Sequence, residues 1–123
     1  MAKVLIVDDA KIMRITIKKI IEKLGHTVVG EADSGYKAIS QYKLLKPDFV
    51  TMDITMPAEQ GIADGIAAVK EIITIDKAAK IIMITSHGEQ DKVIKAIQNG
   101  ASNYMLKPLQ ADKLEEIISK LGV

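Results

Sequence analysis

Short aliphatic runs alternate with longer amphipathic segments along the entire chain. The short runs are rich in β-branched residues and end at turn residues, which is typical of strands. They read KVLIV, HTVVGEA, DFVTMD, KIIMIT and NYMLK. The pattern therefore predicts five strands, and the nearly continuous apolar character of most of them indicates a sheet that is covered on both faces.

The segments between these runs carry apolar residues at helical spacing. In the first segment, Ile17, Ile20, Ile21 and Leu24 repeat every three or four residues, and Gly25 follows as a residue that ends helices. Similar patterns recur in four later segments, which read SGYKAISQYKLLKP, IAAVKEIITI, EQDKVIKAIQNG and ADKLEEIISKLG. The sequence therefore predicts five helices, one after each strand.

Strict alternation of strands and helices favours an α/β fold, because parallel strands need crossover connections. We predict an open, doubly wound, five-stranded parallel sheet of the flavodoxin-like type, with strand order 2-1-3-4-5 and five helices. In this order the chain reverses direction between strands one and three, which opens a crevice at their carboxyl ends. We expect residues 1–123 to form a single domain, with the chemistry at that crevice.

Composition narrows the classes of partner and location. The chain has 17 basic and 16 acidic side chains and a formal charge of +1, so no overall field attracts nucleic acid or an anionic membrane. It contains no cysteine, which excludes disulfides and thiolate metal sites. No stretch approaches the roughly 18 apolar residues of a membrane span, and the N-terminus does not resemble a signal peptide. We expect a cytoplasmic protein with no nucleic-acid or membrane partner.

Polar side chains end four of the five predicted strands. Asp8 and Asp9 follow the first strand, Asp53 ends the third, Thr85 the fourth and Lys107 the fifth. Taken alone, each residue has an ordinary explanation, such as a helix N-cap for either of the first two acids or a turn residue for the third. Together they are expected to converge on one edge of the sheet, because parallel strands all end there.

Three neighbouring carboxylates need a counter-charge, because each raises the pKa of the others. Oxygen ligands with open positions suit Mg²⁺, which commonly binds one or two carboxylates together with phosphate oxygens. With Lys107 as a second cation and Thr85 as a hydrogen-bond donor, the set is typical of phosphoryl transfer. Asp53 is then the candidate nucleophile, since carboxylates form covalent aspartyl phosphates.

Four strings carry a family resemblance that covers nearly the whole chain: VLIVDDAKIMR, PDFVTMDITMP, IIMITS and NYMLKP. In this order they resemble the receiver domains of two-component response regulators, especially the single-domain, CheY-like chemotaxis type. The resemblance implies that Asp53 is the phospho-acceptor and also a metal ligand. It implies that Asp9 binds Mg²⁺ directly, that Asp8 binds through a water molecule, and that Thr55 binds through its backbone carbonyl.

The same resemblance implies a phosphoryl-binding and switching set. Thr85 and Lys107 would hold the phosphoryl oxygens, and Tyr104 would turn inward as the threonine moves. The Lys107–Pro108 peptide bond is expected to be cis, although only about 5–6% of such bonds are cis in folded proteins. Alternatively, Tyr104 has no switching role and is an aromatic residue that packs half-buried at the end of a strand.

Further residues beside the acceptor are expected to modulate rates. The resemblance places Ser86, His87 and Thr55 where side-chain bulk and polarity influence dephosphorylation. The two histidines, His26 and His87, are interpreted as exposed loop residues rather than as phosphate carriers.

The resemblance also implies partners. A histidine kinase of the chemotaxis (CheA-like) type would donate the phosphoryl group to a monomeric receiver. The surface of the fourth helix, fifth strand and fifth helix would then bind a protein in trans, such as the flagellar motor switch. Candidate contacts on this surface are Lys92, Lys95, Gln98 and Tyr104, although the two lysines alone could merely solvate a helix face.

Three other functions compete with this interpretation. A phosphorelay intermediate would pass the phosphoryl group to a histidine of another protein. A receiver-like binding module would no longer take phosphate, although it would have no need of the five polar residues. A haloacid-dehalogenase-like phosphohydrolase needs a second Asp two residues after its nucleophile, where this chain has Thr55.

One segment departs from the family pattern. Asp53, Met56, Pro57 and Gly61 match the motif around the acceptor, but GIADGIAAVKEI then inserts about one helical turn. Either the third helix begins early, with Gly65 inside it at a cost of about 1 kcal/mol, or the loop is longer. The sequence leaves both alternatives open.

Overall fold

Five parallel strands form one sheet in a computed structural model of the chain, which describes residues 1–123. The strands are β1 (Lys3–Val7), β2 (Thr27–Ala32), β3 (Phe49–Asp53), β4 (Ile81–Thr85) and β5 (Asn103–Leu106). The helices are α1 (Lys11–Lys23), α2 (Gly35–Leu45), α3 (Gly65–Ile75), α4 (Gln90–Gln98) and α5 (Ala111–Ser119). All ten predicted elements are present, and no helix has the length and apolar character that crossing a membrane requires.

The strand order is β2-β1-β3-β4-β5, as predicted. β1 therefore lies between β2 and β3, and the chain changes its direction of winding there. All four pairings are parallel, so the carboxyl ends of the strands share one edge of the sheet. This edge contains the predicted crevice, and the loops that follow the strands border it.

Successive residues of the central strands point to opposite faces, and both faces are covered. Leu5 and Val7 belong to a core cluster that includes residues of α2, α3 and α4. Val4 and Ile6 belong to a second cluster, which includes residues of α1 and α5. β3 and β4 are buried over their full lengths. Burial on both faces explains why these strands are apolar at nearly every position.

The loop after β3 is long, which decides between the two alternatives for the inserted segment. α3 begins at Gly65, and the side chain of Asp64 caps it by accepting a hydrogen bond from the backbone N–H of Ala67 at 2.9 Å. The preceding loop folds back through an isolated antiparallel bridge between Glu59 and Ile62. The extra turn of residues therefore extends the loop rather than the helix.

Gly65, and not Gly61, is the glycine that packs against the acceptor strand. Gly61 lies in a turn with φ of +81° and has open space around its Cα. At Gly65 a Cβ atom would overlap the carbonyl oxygen of Asp53 and lie 3.1 Å from the Cα of Ile54. The backbone N–H of Gly65 donates to the carbonyl of Ile54 at 2.8 Å. The start of α3 therefore touches the backbone of the acceptor residue.

His26 lies in a loop, as expected, but the prediction that it is exposed is wrong. This residue is half-buried, and its Nδ1 accepts a hydrogen bond from the backbone N–H of Ala2 at 3.0 Å. Its ring meets that of Phe49 edge to face, with centroids 5.9 Å apart. His26 therefore joins the N-terminal segment to the core, whereas His87 is exposed, as expected.

Candidate functional site

Three carboxylates meet at the carboxyl edge of the sheet. Asp8 and Asp9 directly follow β1, and Asp53 is the last residue of β3. The two strands are neighbours, and one carboxylate oxygen of each residue lies within 4.8 Å of the others. Asp8 and Asp53 are buried, whereas Asp9 is exposed. The cluster therefore opens to solvent on the side of Asp9.

Lys107 is the one cation that reaches this cluster. Its Nζ lies 3.5 Å from Oδ2 of Asp8 and 3.6 Å from Oδ1 of Asp53. Three ionised carboxylates and one ammonium leave a formal charge of −2, which a single divalent cation would neutralise. Hard oxygen ligands around such a charge suit a cation such as Mg²⁺. The donor set of this chain therefore fits the metal that the sequence predicts.

Backbone and side-chain hydrogen bonds hold Asp8 in place. Its Oδ1 accepts from the N–H of Ala10 at 2.9 Å, and its own N–H donates to the carbonyl of Ala32 at 3.0 Å. Arg14, which the sequence analysis did not single out, donates from Nη1 to the carbonyl of Asp8 at 2.7 Å. The N-cap of α1 is Ala10 and makes no side-chain cap, so the alternative that Asp8 or Asp9 caps this helix is wrong.

The site shifts the acidity of Asp53. The pKa of this carboxyl is raised from its ordinary 3.8 to about 7, chiefly by burial and next by the negative charge of Asp8. Lys107 opposes the shift, whereas the charges of Asp9 and Glu89 add smaller increases. At neutral pH, Asp53 in the metal-free protein is therefore protonated in a substantial fraction of molecules. A cation at the site would favour the ionised form.

We expect the contribution of Asp53 to lower the free energy of unfolding of the metal-free protein as the pH rises from about 4 to about 7. The pKa of Asp53 is higher in the folded protein than the ordinary value of 3.8, so only the folded protein retains this proton within that range. Linkage limits the slope from one group to about 1.4 kcal/mol per pH unit. Urea unfolding at a series of pH values in chelator measures the slope.

The neutral variant Asp53→Asn is the control for this pH dependence. The difference in free energy of unfolding between wild type and variant should change across the same pH range, because other titrating groups cancel in the difference. Parallel pH profiles for the two proteins would contradict the raised pKa.

Thr85 and Ser86 lie at the end of β4, next to the acceptor strand. Thr85 is buried, and its hydroxyl donates to the carbonyl of Ser86 at 3.2 Å. The backbone N–H of Ser86 donates to Oε1 of Glu89 at 2.7 Å. The other carboxylate oxygen of Glu89 accepts from the hydroxyl of Thr55 at 2.9 Å. Glu89 is absent from the residues predicted from the sequence, because its only local sign is an acid directly before α4.

An apolar groove runs from Thr85 along α4 and β5 to the surface. It has a volume of about 410 Å³, and its lining consists of five apolar side chains and four polar residues, which include Thr85 and Ser86. Tyr104 borders the groove and is 46% exposed, so its ring points outward. Lys92, Lys95 and Gln98 are exposed on α4, and Gln98 also lines the groove. The groove therefore connects the carboxyl edge of β4 with the predicted contact surface.

The remaining predicted residues lie just after the carboxyl ends of β3, β4 and β5. Thr55 is exposed two residues after the acceptor, and Ser86 and His87 are exposed after β4. The peptide bond between Lys107 and Pro108 is cis, the geometry implied by the family resemblance.

Comparisons with known proteins agree with this geometry. The family model described as the response regulator receiver domain matches residues 4–119. The chain is 50% identical over 120 residues to the chemotaxis protein CheY of Thermotoga maritima, covering 98% of this chain and 97% of that protein. It is 52% identical over 118 residues to CheY of Bacillus subtilis, covering 96% and 95% of the two chains.

A solved structure of a related protein is similar over nearly the whole chain. The CheX–CheY–BeF₃–Mg complex of Borrelia burgdorferi contains a chain that superposes with a TM-score of 0.89 at 32% identity. The match covers 98% of this chain and 89% of that chain.

Proposed function

We propose that this chain, which belongs to the response regulator receiver domain family of two-component systems, accepts a phosphoryl group on Asp53 and transmits the signal by protein contact. The donor is a histidine kinase of the chemotaxis (CheA-like) type. The observation that carries the proposal is the meeting of Asp53 with two further carboxylates and Lys107 at one edge of the sheet.

Besides the phosphohistidine and Asp53, the transfer consumes only a proton from solvent. An ionised oxygen of Asp53 attacks the phosphorus of phosphohistidine, and the phosphorus–nitrogen bond breaks. The electron pair of that bond stays on the imidazole nitrogen, which takes up a proton. Hydrolysis later returns the carboxylate when water attacks the phosphorus and the bond to the Asp53 oxygen breaks, releasing inorganic phosphate and a proton. Covalent catalysis of this kind divides one transfer into two easier steps.

The acidic residues of the site would hold Mg²⁺. Asp9, Asp53 and the backbone carbonyl of Thr55 would be direct ligands of the ion, and Asp8 would hold it through a water molecule. When bound, the ion neutralises negative charge on the transferring phosphoryl group. The formal charge of −2 on the three carboxylates and Lys107 supports this assignment, as does the hydrogen bonding that orients Asp8.

Side chains around the acceptor complete the site. Lys107 provides a second cation for the phosphoryl oxygens and already lies within 3.6 Å of Asp53. Thr85 provides a hydroxyl donor once it turns from the carbonyl of Ser86. Thr55, Ser86 and His87 are exposed near the site, where they would influence the approach of water and hence the lifetime of the phosphoryl group.

Movement of Thr85 would carry the change to the surface. Tyr104 turns from its exposed position into the apolar groove that Thr85 borders, and this changes the surface formed by α4, β5 and α5. Such a switch is a shift between two states that the phosphoryl group biases through its differential contacts, commonly by about 1–3 kcal/mol. Lys92, Lys95 and Gln98 are the proposed contacts for a partner.

We propose that the protein acts in chemotaxis by binding a partner protein. The identity of 50% and 52% to two chemotaxis CheY proteins supports contact with a separate protein such as the flagellar motor switch. The presence of CheX with CheY in a similar structure supports a CheX-type protein as another partner. We propose that the protein acts as a monomer in the cytoplasm.

Incubation with acetyl phosphate, with and without Mg²⁺, tests the chemistry. We expect mass spectrometry to detect the gain of one phosphoryl group only with the metal, and peptide mapping to place it on Asp53. Excess chelator is the matched control for the metal. Uptake that persists in chelator, or that maps to another residue, would contradict the proposal.

A capture assay with flagellar switch proteins tests the output. The phosphorylated chain should be retained several-fold better than the unphosphorylated chain, because the coupling is expected to be about 1–3 kcal/mol. Efficient transfer of the phosphoryl group to a histidine of another protein, without such retention, would instead identify a phosphorelay intermediate.

A further inference from the structure

One carboxylate joins the two loops beside the acceptor. Glu89 lies directly before α4, and its two oxygens bind different partners. Oε1 accepts from the backbone N–H of Ser86 at 2.7 Å, and Oε2 accepts from the hydroxyl of Thr55 at 2.9 Å. Thr55 is two residues after Asp53, and Ser86 directly follows Thr85. Glu89 therefore connects the end of the acceptor strand with the end of β4.

The backbone of Ser86 is held from two directions. Its N–H donates to Glu89, and its carbonyl accepts from the buried hydroxyl of Thr85. As long as both bonds persist, the N–H and the hydroxyl are directed at protein acceptors. They cannot at the same time donate to an anion on Asp53, because each carries a single hydrogen.

We propose that Glu89 is a latch that stabilises the unphosphorylated arrangement of the loop between β4 and α4. The inference rests on the proposed function, because the group that opens the latch is the phosphoryl group on Asp53. That group carries negative charge, so it repels the carboxylate and competes with it for the donor on Ser86. Release of Ser86 then frees Thr85 to turn. Glu89 is thus a positioning residue that sets the population of the switched state before any phosphoryl group arrives.

Three variants separate the latch from simple charge removal. Glu89→Ala removes both hydrogen bonds, whereas Glu89→Gln removes the charge and keeps an oxygen acceptor. Asp91→Asn is the matched control, since Asp91 is an exposed acid in the first turn of the same helix. The probe is BeF₃⁻ with Mg²⁺, an analogue of the phosphoryl group, and titration gives its apparent affinity.

We expect Glu89→Ala to bind BeF₃⁻ about five- to tenfold more tightly than wild type, because the free protein no longer has to open the latch. Glu89→Gln should show a smaller gain, and Asp91→Asn should match wild type. Equal gains in BeF₃⁻ affinity for Glu89→Ala and Glu89→Gln would show that loss of the negative charge alone accounts for the effect. That result would overturn the latch. Weaker or unchanged binding by folded Glu89→Ala would also overturn it.

Hydrogen exchange provides a readout that needs no phosphoryl chemistry. Although Ser86 is exposed, its amide should exchange slowly in the wild-type protein and faster in Glu89→Ala, while amides within β3 and β4 remain protected. Fast exchange at Ser86 in the wild type would overturn the latch. If wild type failed to bind BeF₃⁻ while this amide remained protected, the proposed function would fail and the latch contact would stand.

Discussion

Asp53→Asn is expected to take up no phosphoryl group from acetyl phosphate and yet to resist unfolding better than wild type at pH 8 without metal. An amide cannot act as the nucleophile that a carboxylate provides. It also carries no charge, so it avoids the burial of an anion beside Asp8 that raises the pKa of Asp53 to about 7. The residue that we propose as phospho-acceptor therefore destabilises the metal-free fold.

The size of this stabilisation follows from the pKa of Asp53. A pKa of about 7 in place of 3.8 corresponds to roughly 4 kcal/mol well above neutral pH. Because Asn forms different hydrogen bonds and the surroundings relax, we expect a gain of about 1–3 kcal/mol in the free energy of unfolding. Urea unfolding in chelator measures the gain, and it should shrink below about pH 5, where wild-type Asp53 is protonated.

Two controls make these results specific. Asp112→Asn carries the same substitution at an exposed acid in the first turn of α5 and should retain phosphoryl uptake. Saturating Mg²⁺ should stabilise wild type more than Asp53→Asn, because the variant has lost one negative ligand. Labelling of Asp53→Asn at the wild-type rate would contradict the assignment of the acceptor.

Gly65→Ala is expected to lower the free energy of unfolding by about 2–4 kcal/mol and to slow phosphoryl uptake. The added Cβ would overlap the carbonyl oxygen of Asp53. β3 cannot move aside easily, because it pairs with β1 on one side and with β4 on the other. The start of α3 must move instead, and the backbone beside the acceptor moves with it. Urea unfolding and acetyl phosphate labelling measure the two effects.

Gly61→Ala is the matched control, since both glycines lie in the repeated segment GIADGIA. A Cβ at Gly61 meets nothing within 4 Å, so its cost comes only from the left-handed backbone conformation. That cost is about 1–2 kcal/mol, and phosphoryl uptake should remain unchanged. Equal losses of stability and uptake in the two variants would contradict the close packing of Gly65 on the acceptor strand.

Local patterns were sufficient to predict the architecture and most of the candidate site. The strands are apolar at nearly every position because both faces of the sheet are covered, and this pattern is visible one residue at a time. Once five alternating units were recognised, the usual strand order placed Asp8, Asp53 and Lys107 at a single edge. The structure brings these three side chains together.

Other features depend on residues that are distant in sequence, so no local pattern contained them. The sequence predicted His26 to be an exposed loop residue, but the fold packs its ring against Phe49 and bonds it to the N-terminal segment. Glu89 looked like a helix-start acid, but 34 residues separate it from the hydroxyl of Thr55 that it binds. Such contacts exist only after the loops between strands have packed side by side.

Periodicity and residue type act locally, so the alternating elements, the two-sided core and the set of polar strand ends can all be recognised in the amino-acid sequence. Three further properties emerge from the folded chain: Gly65 rather than Gly61 contacts the acceptor, Glu89 joins two loops, and the pKa of Asp53 is raised to about 7. These properties depend on distances across the sheet and on exclusion of water. Both arise only when separate segments of the chain pack together.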